Sequence, residues 1–296
     1  MGQDNLDSKN GYEKIGPTAW GVARFRAQAD IKYAQEIFDE LAILIKPTHP
    51  LEVEYIRRSK ESNIAPQLEA RYKLINQLLA TSKTNQILEM ASGLSPRGLT
   101  MTEEDPSLCY VEVDLPEMVE TKKRLIQTLV DKNIAKPQNN LHIEDGDVLD
   151  ADYLMATTRY FKTGPIAIIN EGLLRYMNFD QKAIVAKNVR TLLEKFGGVW
   201  ITSDITLPRV LEHHEESKLN RGLIKALSGI DIERNAFENE PAAIEFFKNL
   251  GFTIERHSFL EVIDDLISPK RLGMSKEETK ELIEHAVVFV MRLKDM

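Results

Sequence analysis

The stretch QILEMASGLSPRGL, residues 86–99, decides the fold, because it reads as a buried strand that runs straight into a glycine turn. Ile87, Leu88 and Met90 make the apolar run of a parallel strand, and Glu89 interrupts it with a charge that is costly to bury without a partner. Gly93 and Gly98 let the backbone turn tightly and come close to a ligand. Downstream, LCYVEVDLPEM supplies a second apolar strand ending in Asp114, 21 residues after Gly93. A carboxylate about 20 residues past the first glycine, at the end of the second strand, is placed to hold ribose hydroxyls. Together these features imply a nucleoside-containing cofactor at the carboxyl ends of a parallel sheet.

The glycine spacing narrows the cofactor. Dinucleotide binding calls for G-x-G-x-x-G, with a pyrophosphate on a helix N-terminus. Here the run is Gly93-Leu-Ser-Pro-Arg-Gly98, without the middle glycine, and Pro96 removes a backbone donor. S-adenosylmethionine (SAM) carries no phosphate and needs only a glycine turn beside its amino-acid part, so SAM is favoured over a nicotinamide dinucleotide.

Working outward, the pattern predicts strands over 86–90, 108–113, 141–145, 166–170 and 198–204, with helices over 116–132 and 180–196. Such alternation implies a mostly parallel sheet covered by helices on both faces. FTIERHSFL and HAVVFVMRL then read as a closing pair of strands, hairpin-like and antiparallel, after a helix in EPAAIEFFKNLGF. The N-terminal part is polar over its first eleven residues and then helical from about 19 to 45. It is broken by Pro47 and Pro50, and a further helix over about 66–80 leads into the first strand. Residues 1–80 are expected to form a helical cap over the cofactor side, and 81–296 the sheet domain. An insertion at about 207–239, carrying His213 and His214, is expected to act as a lid at the carboxyl edge.

Bulk properties set limits. A chain of 296 residues that is 43% apolar can fill one large α/β core. A net charge of −8 argues against nucleic acid or an anionic membrane surface as partner. The one cysteine, Cys109, has no thiol to pair with, no stretch approaches a membrane span or a signal peptide, and a cytoplasmic location is expected. No Cys/His spacing of the zinc type occurs, so no metal is expected.

Four segments in order, QILEMASGLSPRGL, YVEVDLPEMVETKK, IEDGDVLD and INEGLLRYM, resemble the leucine carboxyl methyltransferase superfamily, over about residues 54–252. The nearer resemblance is to its bacterial branch, the O-methyltransferases of the tetracenomycin polyketide type. The resemblance implies a class I methyltransferase fold: α/β, Rossmann-like, with a mostly parallel seven-stranded sheet and an antiparallel C-terminal strand.

It also implies roles. Asp114 takes the ribose hydroxyls, while Asp147 and Val148 contact the adenine, although DGD is equally an ordinary turn signal. Glu171 faces the methionine part of SAM or caps the turn after its strand, and Arg71 binds the cofactor carboxylate or is a surface helix residue. Glu89 pairs with Arg97, or with another cation beneath the cofactor. Arg97 matches the arginine of the family's glycine turn, but Ser95-Pro96 stands where the protein-carboxyl branch commonly has Asp-Thr, which favours a small-molecule acceptor. Tyr176 lines the meeting place of acceptor and methyl group, or simply packs. His213 and His214 are candidate general bases for a phenol, or a solvated helix face, and a carboxylate acceptor needs neither. The reading is a SAM-dependent O-methyltransferase acting on a small-molecule carboxylate or phenol. Its rivals are a methyltransferase of a protein C-terminal carboxylate, a catalytically idle SAM-binding scaffold and, last, a nicotinamide enzyme.

Overall fold

The computed structural model describes residues 16–44, 50–59, 63–207, 222–223, 225–226 and 229–294. Seven strands, β1 (Gln86–Met90), β2 (Cys109–Asp114), β3 (Leu141–Asp145), β4 (Ile166–Asn170), β5 (Gly198–Thr202), β6 (Phe252–Ser258) and β7 (Val287–Leu293), form one sheet in the order β3-β2-β1-β4-β5-β7-β6. The first five run parallel, and β7 is antiparallel to both its neighbours. This is the expected mixed sheet with its antiparallel C-terminal strand. Strand ends differ from the sequence reading by one or two residues, the usual uncertainty of element boundaries.

The chain reverses direction across the sheet between β1 and β4, where connections leave to opposite sides; a ligand crevice opens at such a point, beyond the carboxyl ends of the strands. Strand alternation sorts the core into two layers. Leu88, Met90, Val111, Val113, Ile168 and Trp200 pack on one face with α8 (Phe179–Phe196). Ile87, Tyr110, Ala167, Ile169 and Ile201 pack on the other with Leu74, Ile75, Leu78 and Leu79 of α4 (Ala65–Ser82). Thus α4, grouped by the sequence reading with the N-terminal cap, lies flat on the sheet.

The N-terminal helical stretch is divided. α1 (Gly16–Ala27) and α2 (Ala34–Leu44) are separated by a turn in which Tyr33 has φ +66°. Arg271, from the far end of the chain, donates to the Gln28 and Ala29 carbonyls at 3.0 and 2.7 Å, satisfying acceptors that α1 leaves open at its end. The proline-containing stretch that was expected to break the pattern starts a third helix, α3 (Pro50–Ser59), with Pro50 at its first position, where no N–H is needed.

The other helices are α5 (Arg97–Glu104), α6 (Pro116–Asp131), α7 (Ala151–Ala156), α9 (Glu240–Asn249), α10 (Ser268–Arg271) and α11 (Lys276–Ile283). The capping boxes Asn178/Gln181 and Ser275/Glu278 fix the starts of α8 and α11. β6 and β7 pair antiparallel but are not a hairpin. A 3₁₀ segment, Phe259–Asp265, followed by α10 and α11, joins them, and this connection packs back onto α4. Among the described residues no helix is long and apolar enough to cross a membrane.

Candidate functional site

Period-two alternation puts Glu89 and Glu112 side by side on β1 and β2, facing α4, and Glu171 follows on the same side beyond β4. Three buried carboxylates on one face demand cations, and the fold supplies them from different elements. Lys122 of α6 pairs with Glu112 and reaches Ser92 Oγ at 3.3 Å. Arg97, at the start of α5 and fully buried, donates to Glu89 at 2.7 Å and to Asn76 Oδ1 at 2.7 Å, and lies over the Tyr72 ring at 4.4 Å. Tyr110 donates its hydroxyl to the second Glu89 oxygen at 2.8 Å. Glu89 therefore pairs with Arg97, the cation that the sequence reading names first.

Glu171 is surrounded. Its carboxylate lies 2.7 Å from Arg26 of α1 and 3.3 Å from both Arg71 of α4 and Arg97. These guanidiniums hold its pKa far below the usual carboxylate range against the opposing effect of burial. Burial also draws the Arg71 pKa down, offset by the nearby Glu171 charge. The cluster is incompletely satisfied. Arg26 Nε, Arg175 Nε and Ser203 Oγ are buried without a hydrogen-bond partner among the described residues, and Arg71 Nε, Arg97 Nη2 and Glu171 Oε1 have only the 3.3 Å ion pairs within the cluster. Buried donors in this state are rare in a finished core and mark a place where a polar ligand belongs.

Beside the cluster, Asp114 closes β2. Its carboxylate accepts the Gly93 and Leu115 N–H groups at 2.6 and 2.8 Å, and burial raises its pKa despite them. A carboxylate offers about four acceptor positions, so about two remain for hydroxyl donors. Gly93 has φ +52°, and a Cβ placed there would meet nothing within 4 Å, so the turn borders open space. Gly98 is required differently, because its Cβ would fall 2.3 Å from the buried Glu112 Oε1. One oxygen of Asp147 accepts the Leu149 N–H at 2.9 Å, and buried Val148 is anchored through its carbonyl by Asn188 at 2.9 Å.

Asp204, after β5, organises the turn that follows Glu171. It accepts N–H groups from Gly172, Leu173 and Leu174 at 2.6, 2.7 and 3.0 Å, and the Asn170 amide at 2.7 Å. Tyr176 ends that turn, packs with Tyr55, Leu223 and Ile232, and donates to Thr18 Oγ1 at 3.3 Å. The described part of the insertion thus lies on the carboxyl edge against Tyr176 and the N-terminal helices. Its return is core rather than loose loop: Phe237 is buried and donates its N–H to Thr206 at 3.0 Å, while Lys182 of α8 donates to the Asn235 carbonyl at 2.7 Å. His213 and His214 lie outside the described residues. Trp20 and Phe25 of α1 pack in two separate apolar clusters, Trp20 in the one that includes Leu94 of the glycine turn.

The sequence reading therefore names Arg71, Glu89, Gly93, Arg97, Asp114 and Glu171, which the structure brings to one edge. Asp147 and Val148 lie nearby after β3, and Tyr176 on the rim. It misses Arg26 and Asp204. Asp204 carries the strand-end signal used for Asp114, in ITSDITLP; Arg26, in a cap helix, carries none.

Three comparisons bear on this geometry. The family model for leucine carboxyl methyltransferase matches residues 26–190. No curated protein matches the chain in sequence. Among solved structures, a DUF574 family protein from Streptomyces avermitilis is 17% identical with a TM-score of 0.59, over 90% of this chain and 100% of that one. A SAM-dependent methyltransferase from Anabaena variabilis is 12% identical with a TM-score of 0.50, over 77% and 86%. An O-methyltransferase family protein from Burkholderia thailandensis is 13% identical with a TM-score of 0.45, over 81% of this chain and 62% of its own length. At these identities the first two likenesses speak to fold alone.

Proposed function

The chain belongs to the leucine carboxyl methyltransferase family, and from that premise we propose that it is a SAM-dependent O-methyltransferase acting on a small-molecule carboxylate or phenol. The observation that carries this reading is the set of buried guanidinium donors at the carboxyl edge that make no hydrogen bond, next to Asp114 with acceptor capacity to spare. A ligand with a carboxylate at one end and a vicinal diol at the other satisfies both at once.

In this reading Arg71 takes the cofactor carboxylate, and Asp114 takes both ribose hydroxyls. Asp147, through its second oxygen, and the Val148 backbone hold the adenine. Glu171, expected to face the methionine part directly, acts on it through the arginines that it orients; Glu89 and Tyr110 lock Arg97 from the other side. Bound SAM supplies a methyl group on a sulfonium, already electrophilic. The protein's contribution is alignment of the acceptor oxygen and exclusion of water, for which the N-terminal helices and the described part of the insertion form the cover. Tyr176 forms part of the wall, with its hydroxyl engaged by Thr18.

Titration calorimetry with SAM tests the assignment. Asp114→Ala should weaken binding by roughly 1.5–3 kcal/mol, the scale of losing charge-assisted hydrogen bonds. Unchanged SAM affinity with the fold intact rejects Asp114 as the ribose ligand, and tighter binding of NADH than of SAM to the unaltered protein rejects the class.

A further inference from the structure

Arg175 is the cation of this site that the assignments above leave idle. It occupies the middle of the 3₁₀ turn Leu174–Tyr176, five residues past the end of β4, and Asp204 holds that turn rigid through three backbone N–H groups. Its Nε is buried, and the guanidinium has no hydrogen bond, ion pair or ring contact with a described residue. Its turn runs from Glu171, which the arginine cluster holds, to Tyr176, which packs with Tyr55 of α3, so Arg175 stands between the arginine cluster and the aromatic rim.

The charge balance explains why an idle arginine is informative. Among the described residues, Arg26, Arg71, Arg97 and Arg175 stand against Glu89, Glu171 and Asp204. Lys122 and Glu112 neutralise each other, and Asp114 lies two strands away, beneath the proposed ribose. Bound SAM would meet one surplus positive charge with its carboxylate, but would add an ammonium and a sulfonium of its own. A guanidinium without a partner among the described residues would oppose the binding of a cationic cofactor unless an anion comes in with the second substrate.

We propose that Arg175 is a specificity-determining residue that binds the anionic group of the methyl acceptor, so that acceptor and SAM bind cooperatively. This rests on the SAM reading above and adds to it the residue that selects a negatively charged acceptor. The planar fork of arginine suits a carboxylate, and a lysine there would keep the charge but not the two-pronged geometry.

The test needs no knowledge of the true acceptor, because acetate is small enough to report on the anion subsite. SAM and S-adenosylhomocysteine (SAH) affinities are measured calorimetrically in sodium acetate and in sodium chloride of equal ionic strength, for the unaltered protein, Arg175→Met and Arg175→Lys. Expected is an acetate-dependent tightening of SAM binding of about 5-fold or more in the unaltered protein, the low end of ordinary coupling between sites. It should be absent in Arg175→Met and reduced in Arg175→Lys. Arg175→Met in chloride should also favour SAM over SAH more than the unaltered protein does, because only SAM carries the sulfonium charge. Equal acetate effects in the unaltered protein and Arg175→Met, or an unchanged SAM-to-SAH ratio, overturn the assignment while leaving the cofactor reading standing. Failure of the unaltered protein to bind SAM refutes the cofactor reading itself. Arg175→Lys, which preserves charge and most of the volume, covers the case in which Arg175→Met does not fold.

Discussion

Replacing Glu171 by Gln tests the arginine cluster directly, since it removes one charge and almost no volume. The carboxylate is 2.7 Å from Arg26 and 3.3 Å from Arg71 and Arg97, and all four side chains are buried. Removing one member of a buried ion pair costs about 3–5 kcal/mol, because the remaining charge is left without compensation. Here three guanidiniums share the loss and Arg97 retains Glu89, so the expected cost at pH 7 is about 3–5 kcal/mol rather than a multiple of it. The pH dependence carries its own sign. The folded-state pKa of Glu171 is depressed below its unfolded value, so its contribution is full above the unfolded carboxylate range and is lost as pH falls through that range and below. Urea unfolding of the unaltered protein and Glu171→Gln across neutral and acidic pH measures the gap. It should be largest at neutral pH and should close progressively in acid. A gap under about 1 kcal/mol at pH 7, or one of the same size throughout, refutes the view that Glu171 holds the arginines together.

Three further outcomes are expected. Gly98→Ala should destabilise by roughly 1–3 kcal/mol, because its Cβ would overlap the Glu112 carboxylate, which Lys122 pins in place. Gly93→Ala has room for the methyl group and should cost only about 1–2 kcal/mol for the left-handed backbone, so thermal melts of the pair separate crowding from strain. Lys182, buried over the Phe179 and Phe237 rings and bonded to the Met177 and Asn235 carbonyls, has its pKa lowered by burial to about 8. Its folded pKa lies below its unfolded value, so the unfolded chain binds more protons between about 8 and 10.5 and stability should rise with pH across that window. The stability difference between the unaltered protein and Lys182→Met, followed from pH 7 to 10.5, should carry that slope; a flat difference contradicts it.

Much of this architecture is local information. The apolar runs, the glycine turn after β1, Asp114 at its fixed interval and the alternation of strands and helices require only period-two patterning and backbone sterics, and these are written residue by residue. Glu89, too, announces itself as a charge within a buried strand that must find a cation. What the sequence leaves open is which distant elements supply the partners. Arg26 in α1, Arg71 in α4 and Arg97 in α5 converge on Glu171 only because α4 lies on the sheet face that β1 and β4 share and α1 packs against α4. No spacing rule links positions 26, 71, 97 and 171. The same holds for the turn set by Asp204 and for the long helical connection that replaces the expected hairpin between β6 and β7. Strand-end acids and turn glycines can be read from their neighbours along the chain, whereas the balance of buried charge is a property of the assembled volume, and only packing decides it.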